Sequence, residues 1–142
     1  MQRHRRRAHL NSAARGEANG AETYFLSLQA SDERAADAAQ LENVVGQSPA
    51  APGSDEFDLQ LLLWDLAQSR HLASSQRLAT LIQEELNRQL DLPDRGVKQA
   101  PFVVLIGAEM PSVLAEISFL TNRQDAGLLK GAAYRQQIAQ SL

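Results

Sequence analysis

Ser112-Val-Leu-Ala-Glu-Ile-Ser-Phe-Leu120 is the stretch on which the fold turns. A run this apolar reads as a strand covered on both faces, as in parallel or mixed sheets flanked by helices. Phe102-Val-Val-Leu-Ile106, bounded by Pro101 and Gly107, predicts a second strand of the same kind. Upstream, Glu22-Thr-Tyr-Phe-Leu-Ser-Leu28 is β-branched and aromatic and predicts a third. Helical signals fill the intervals. Ser31 is the expected N-cap of a helix reaching about Asn43, with Asp32 and Glu33 in its first turn and Ala35, Ala36, Ala38 and Ala39 suiting close packing on a sheet. Residues 44–54 are Pro/Gly/Ser-rich and read as a loop. Phe57 to Ala67 is apolar almost all round, and Leu78, Leu81, Ile82, Leu86 and Leu90 recur at the spacing of an amphipathic helix that Pro93 and Gly96 close off. Leu128, Leu129, Tyr134 and Ile138 mark one or two closing helices. The alternation predicts an α/β fold, with a mixed, mostly parallel sheet flanked by helices.

Composition narrows the chemistry. The 142 residues suffice for one domain with a single core. Cysteine is absent, which excludes disulfides, thiolate metal sites and cysteine nucleophiles. Net charge is −3, yet Arg3, Arg5, Arg6 and Arg7 stand together at the start, so the remainder carries −7 once those four charges are removed. With no aromatic residues interleaved and an acidic body behind it, the arginine run reads as a solvated tail and no nucleic-acid partner is expected. No segment approaches the roughly 18 apolar residues of a membrane span. The basic start is not followed by the apolar stretch of a signal peptide, so none is expected in this chain.

Glu116 does not belong in its surroundings. From Val113 to Leu120 only Glu116 and Ser118 are polar, and strand alternation places both on one face. A buried carboxylate must be paired, protonated or bound to a cation. Two readings stand: a strand-end carboxylate salt-bridged to a helix, or a general base or metal ligand whose pKa burial raises. Among the histidines, His4 lies in the basic run, His71 sits among Gln68, Ser69 and Arg70 as a surface residue, and His9 is ambiguous by itself. One histidine does not make a zinc site, which uses about three protein ligands and an open position. HExxH, glycine-rich phosphate-loop and nucleophile-elbow motifs are absent.

The order of motifs resembles the zinc-dependent N-acetylmuramoyl-L-alanine amidase family, the type 3 catalytic domain. Gly20-Ala-Glu-Thr-Tyr-Phe-Leu-Ser27, the Ser31-Asp-Glu start of an alanine-rich helix ending Glu42-Asn43, Arg95-Gly-Val-Lys-Gln-Ala-Pro-Phe-Val-Val-Leu105 and Met110-Pro-Ser-Val-Leu-Ala-Glu-Ile-Ser-Phe-Leu-Thr-Asn122 follow one another as they do there. Residues 9–142 resemble the C-terminal part of that domain, truncated on its N-terminal side. By position Glu116 matches the family's catalytic glutamate, and His9, followed by Leu10-Asn11-Ser12, matches the third zinc ligand. The resemblance implies a peptidoglycan hydrolase that uses zinc-activated water to cut the amide between N-acetylmuramic acid and L-alanine, with Glu116 carrying the water's proton to the leaving amine. It also implies a periplasmic or extracellular location, and a divisome activator that displaces a regulatory insertion, here residues 44–63. This sequence departs from the family in three ways. The first zinc histidine and the glutamate ligand belong to an upstream stretch not present here, so the Zn2+ site is expected to be incomplete. Gln2-Arg-His-Arg-Arg-Arg7 stands where an apolar strand leads into His9, so residues 1–8 read as a basic, non-native-looking leader. Ala115 and Ser118 replace a β-branched residue and a glycine, and Arg123 a frequent proline. The alternative function is a catalytically inactive amidase-fold remnant, or a regulator that binds cell-wall peptide without cutting it.

Overall fold

A computed structural model describes residues 5–11, 18–45 and 55–142, with side chains described at 18–43 and 71–142. Four strands form one sheet in the order β1-β4-β2-β3: β1 Arg5–Asn11, β2 Ala21–Leu26, β3 Asp94–Ala100 and β4 Ser112–Phe119. β1 runs parallel to β4 and β3 parallel to β2, while β2 and β4 are antiparallel. The sheet is therefore mixed and mostly parallel, as the apolar run of β4 implies. Every residue of β4 is buried, because a central strand has a neighbour on each edge and helices on each face.

The helices are α1 Glu33–Val45, α2 Asp55–Gln89, α3 Arg123–Leu129 and α4 Ala132–Ser141. Along β2 the alternation divides the core. Ala21 and Phe25 join Ile82, Leu86 and Leu90 of α2 and Val113, Ala115 and Ile117 of β4, with Tyr134 and Ile138 of α4 packed against them. Tyr24 points the other way, into a cluster with Ala35 and Ala39 of α1, Phe102, Leu105 and Leu114. Gln83 of α2 satisfies the polar groups on its face. It accepts from Thr23 Oγ1 at 2.8 Å and donates to the Ala21 carbonyl at 2.9 Å and to Asp94 Oδ1 at 2.8 Å.

Five features depart from the sequence expectations, the fifth being the face taken by Ser118. Phe102–Ile106 is not a strand: Val103–Leu105 forms a 3-10 turn, and the strand is the polar stretch Asp94–Ala100 before it. The run is apolar because Phe102 and Leu105, three residues apart and so on one side of the turn, both plug the α1-side cluster. Asn43 fixes that turn by donating to the Pro101 carbonyl at 2.9 Å and accepting from Val103 N at 2.8 Å. The α1 cap is Asp32 rather than Ser31, since Asp32 Oδ1 accepts from Ala35 N at 2.8 Å. The two helical runs at 57–67 and 78–90 are parts of one 35-residue helix. Finally, Arg5–Ala8, expected in a leader ending at residue 8, lie in β1, in register with Ser112–Ala115. The backbone of an edge strand pairs whatever its side chains are. Residues 1–4, and the expected loop beyond Val45 as far as 54, lie outside the described residues.

Ser118 is the described non-glycine residue with a positive φ, 65°. The kink breaks the alternation of β4. Ser118 does not share the face of Glu116; its Oγ lies 3.4 Å from the hydroxyl of Tyr134, which packs on the α2 side. A left-handed backbone at a residue with a Cβ costs about 1–2 kcal/mol, and the bond to Tyr134 is long. Ser118→Gly should therefore raise stability by roughly 1 kcal/mol. Denaturant unfolding checks this: an unchanged or lower midpoint means that the Tyr134 contact outweighs the strain.

Candidate active site

The site grows from the pairing of β2 with β4, which sets Glu22 directly opposite Glu116. In an antiparallel pair, opposed residues share a face with Cβ atoms about 4.5–5.5 Å apart. Both glutamates are buried, at 2% and 1% exposure. On the other edge of β4, His9 of β1 is the register partner of Glu116. His9 and Glu116, singled out in the sequence, thus occupy adjacent strand positions at one level of the sheet. His71 belongs to α2, on the opposite face, and His4 lies outside the described residues.

Two buried carboxylates side by side repel one another, and the neighbouring strand supplies the compensation. Arg95 Nε lies 3.0 Å from Glu22 Oε2, and Lys98 Nζ lies 3.4 Å from the same oxygen and 3.4 Å from Asp32 Oδ2. A local irregularity brings Arg95 there. Asp94 pairs with Ala21 and Val97 with Thr23, so two residues of β3, Arg95 and Gly96, stand opposite the single residue Glu22. Gly96 absorbs the extra residue at φ 82°, and its N–H donates to Asp94 Oδ1 at 2.8 Å. Asp94 and Val97 can then both face α2 while Arg95 turns to Glu22.

Glu116 has a different environment. Burial, then the charges of Glu42 on α1 and of Glu22, push its carboxyl up to about 8. Tyr24, beneath the same face, is pushed up by burial first and by Glu22 next, and remains a neutral phenol. Thus Glu22 is matched by two cations, whereas Glu116 is held towards its protonated form, the division of labour expected of a proton-handling carboxyl. Sequence reading missed Glu22, Arg95, Lys98 and Glu42. Glu22 was legible as a lone charge in an otherwise uncharged strand; the others were not, because their relation to it depends on register.

Whether these residues suit a metal can be tested on the donor set. A catalytic zinc site uses about three His or carboxylate ligands. Among the described residues no group of three His, Cys, Asp or Glu could hold an ion, and Glu22 is already engaged by Arg95 and Lys98. The described donors by themselves therefore do not amount to a zinc site.

Over residues 7–142 the chain matches the family model described as N-acetylmuramoyl-L-alanine amidase. The N-acetylmuramoyl-L-alanine amidase AmiA of Escherichia coli (strain K12) is 34% identical over 136 residues, which cover 94% of this chain and 47% of AmiA. The AmiC amidase of Neisseria meningitidis serogroup B is 32% identical over 135 residues, 94% of this chain and 32% of AmiC. In fold the chain is similar to the crystal structure of an N-acetylmuramoyl-L-alanine amidase from Clostridium difficile 630, with a TM-score of 0.59 at 19% identity, over 97% of this chain and 52% of that one. The chain spans about half the length, or less, of these relatives.

The raised pKa of Glu116 carries a stability consequence. A carboxyl that ionises near 8 when folded, against about 4.5 when exposed, stabilises the fold fully below the lower value. That contribution is lost progressively as pH rises to the upper one. Gln mimics the protonated form at every pH. Glu116→Gln should accordingly leave the melting temperature nearly unchanged at pH 4 and raise it at pH 8.5. An equal shift at both pH values would mean that Glu116 is ionised throughout.

Proposed function

Because the chain belongs to the N-acetylmuramoyl-L-alanine amidase family, we propose that it cleaves the amide joining N-acetylmuramic acid to the L-alanine of the peptidoglycan stem. The observation that carries this reading is the buried Glu116, raised towards neutrality and set between His9 and Glu22. A carboxyl with a pKa near the working pH can exchange protons in both directions. In its ionised form Glu116 takes a proton from the attacking water as the C–O bond forms at the amide carbonyl. It then passes that proton to the nitrogen as the C–N bond breaks, releasing the stem as a free amine and the lactyl group as a carboxylate. Burial keeps the transferred proton from bulk water. Zinc, with His9 as one ligand, belongs to this proposal as the source of electrophilic help, with its remaining ligands drawn from outside the described residues. A peptidoglycan substrate puts the work outside the cytoplasmic membrane; among the described residues no helix is long and apolar enough to cross one. The second reading, a cell-wall peptide-binding regulator without hydrolysis, draws on the donor set of the described residues, among which no group of three His, Cys, Asp or Glu could hold an ion.

Control by an activator that displaces residues 44–63 is part of the same proposal. Residues 46–54 lie outside the described ones, and from Asp55 the chain is continuous with α2. Lower down that helix Ser75 Oγ accepts from Ser112 N at 3.0 Å, at the far end of β4 from Glu116. This continuity suits a stem fixed to the core with the regulatory segment preceding it.

Two measurements test the proposal. In the full-length protein Glu116→Gln should cost about 10²–10⁴ in rate on purified sacculi, the usual loss of a general base, while metal content is kept; a variant retaining most of its activity would remove Glu116 from the chemistry. Deleting Gly46 to Ser54 should raise basal dye release from labelled sacculi without an activator. A less stable protein with no gain in basal rate would instead make the segment a connecting loop.

A further inference from the structure

Arg95 is built as a receptor for an anion as well as a partner for Glu22. Its Nε is tied to Glu22 at 3.0 Å, and Glu22 is itself fixed in the sheet and almost wholly buried. The guanidinium carbon lies over the Phe119 ring, 5.0 Å from its centroid. Among the described residues nothing else hydrogen-bonds to the two terminal nitrogens, and the side chain remains 19% exposed. Lys98, by contrast, is spent on both Glu22 and Asp32. A planar cation anchored through Nε, whose outer nitrogens have no hydrogen-bond partner among the described residues, has the geometry that takes a carboxylate in a bidentate grip.

Position supplies the distance to the chemistry. Glu116, Glu22 and Arg95 lie on β4, β2 and β3, successive strands at one level of the sheet. Strands are about 4.8 Å apart, so the backbone of Arg95 stands roughly 10 Å from that of Glu116 along that row, and its guanidinium reaches back from there to Glu22 and the Phe119 ring of β4. An extended peptide covers at most about 3.5 Å per residue, so a carboxylate at this point belongs to one of the first few stem residues after the scissile amide.

We propose that Arg95 is a specificity-determining residue that binds a free carboxylate of the stem peptide within about 10 Å of the cleaved bond. The inference rests on the reading of Glu116 as the reacting end of the site. The probe is a short stem peptide beginning with L-alanine, prepared with its carboxylates free or converted to carboxamides, and binding to the full-length protein is followed by calorimetry. The free-carboxylate peptide should bind at least about tenfold more tightly, since a charge-assisted hydrogen bond contributes about 1.5–3 kcal/mol. Arg95→Lys keeps a cation for Glu22 but loses the fork, so it should hold its melting temperature while the preference falls below about threefold. Equal affinities of the unaltered protein for the two peptides, or a preference that survives Arg95→Lys, would overturn the proposal. Hydrolysis on sacculi is measured separately: a carboxylate preference in a protein that cleaves nothing upholds the Arg95 site and sinks the amidase reading alone.

Discussion

The antiparallel pairing of β2 with β4 puts two buried glutamates face to face, and much of the molecule is an answer to that constraint. Like charges directly opposed on adjacent strands destabilise a sheet, and in a dry environment each would also lose its hydration. The two carboxyls meet this in different ways. Glu22 lies against a guanidinium and an ammonium on the next strand. Glu116, with burial and two glutamates against it, is driven towards its neutral form.

The sequence disclosed one half of this pair and hid the other. Glu116 stood out because β4 is apolar for its whole length, so a single charge within it had to be explained. The α/β class, β2 and the closing helices were legible for the same reason: hydrophobic periodicity reports burial, and burial here follows the sheet. Periodicity failed where an apolar run serves another purpose. Phe102 and Leu105 plug the core from a 3-10 turn, while the true edge strand Asp94–Ala100 is half-buried and polar because its residues partner Glu22, Asp32 and Gln83. Edge strands facing charges lose the pattern by which strands are recognised. Arg95 and Lys98 could not be assigned from sequence because they lie more than seventy residues from Glu22, as the 73-residue separation of the Arg95 contact shows. The family resemblance located Glu116 and His9 by position, and the register of β1 on β4 sets those two side by side.

The sheet also separates tasks between its faces. On the α2 side the buried polar groups are neutral or closed among themselves, with Gln83 bridging Thr23, the Ala21 carbonyl and Asp94. That face holds the fold together. The α1 side carries Glu22, Glu116, Lys98 and Arg95, the charged groups of the candidate site. Asn43 matters in this division, because its two backbone hydrogen bonds tie the end of α1 to the 3-10 turn and so fix Glu42, the residue before it, near Glu116.

Regular alternation alone could not build such a site. A strand of period two assigns each residue a face in advance, and the sheet breaks the rule at two places on either side of the Glu22–Glu116 pair. On β3 the extra residue at Gly96 rotates Arg95 away from α2 and onto Glu22. On β4 the left-handed turn at Ser118 sends its hydroxyl to Tyr134, and Phe119 beyond it lies under the guanidinium of Arg95. Without the first irregularity Glu22 would lack its nearest cation; without the second Arg95 would lack the ring that orients it. Both breaks cost backbone energy, and one falls on a serine, where left-handed backbone is disfavoured. Bulges and kinks tend to sit beside functional residues because they re-aim side chains that the pleat would otherwise bury or expose. Here they converge on a single guanidinium and a single pair of carboxyls, the charged groups of the candidate site.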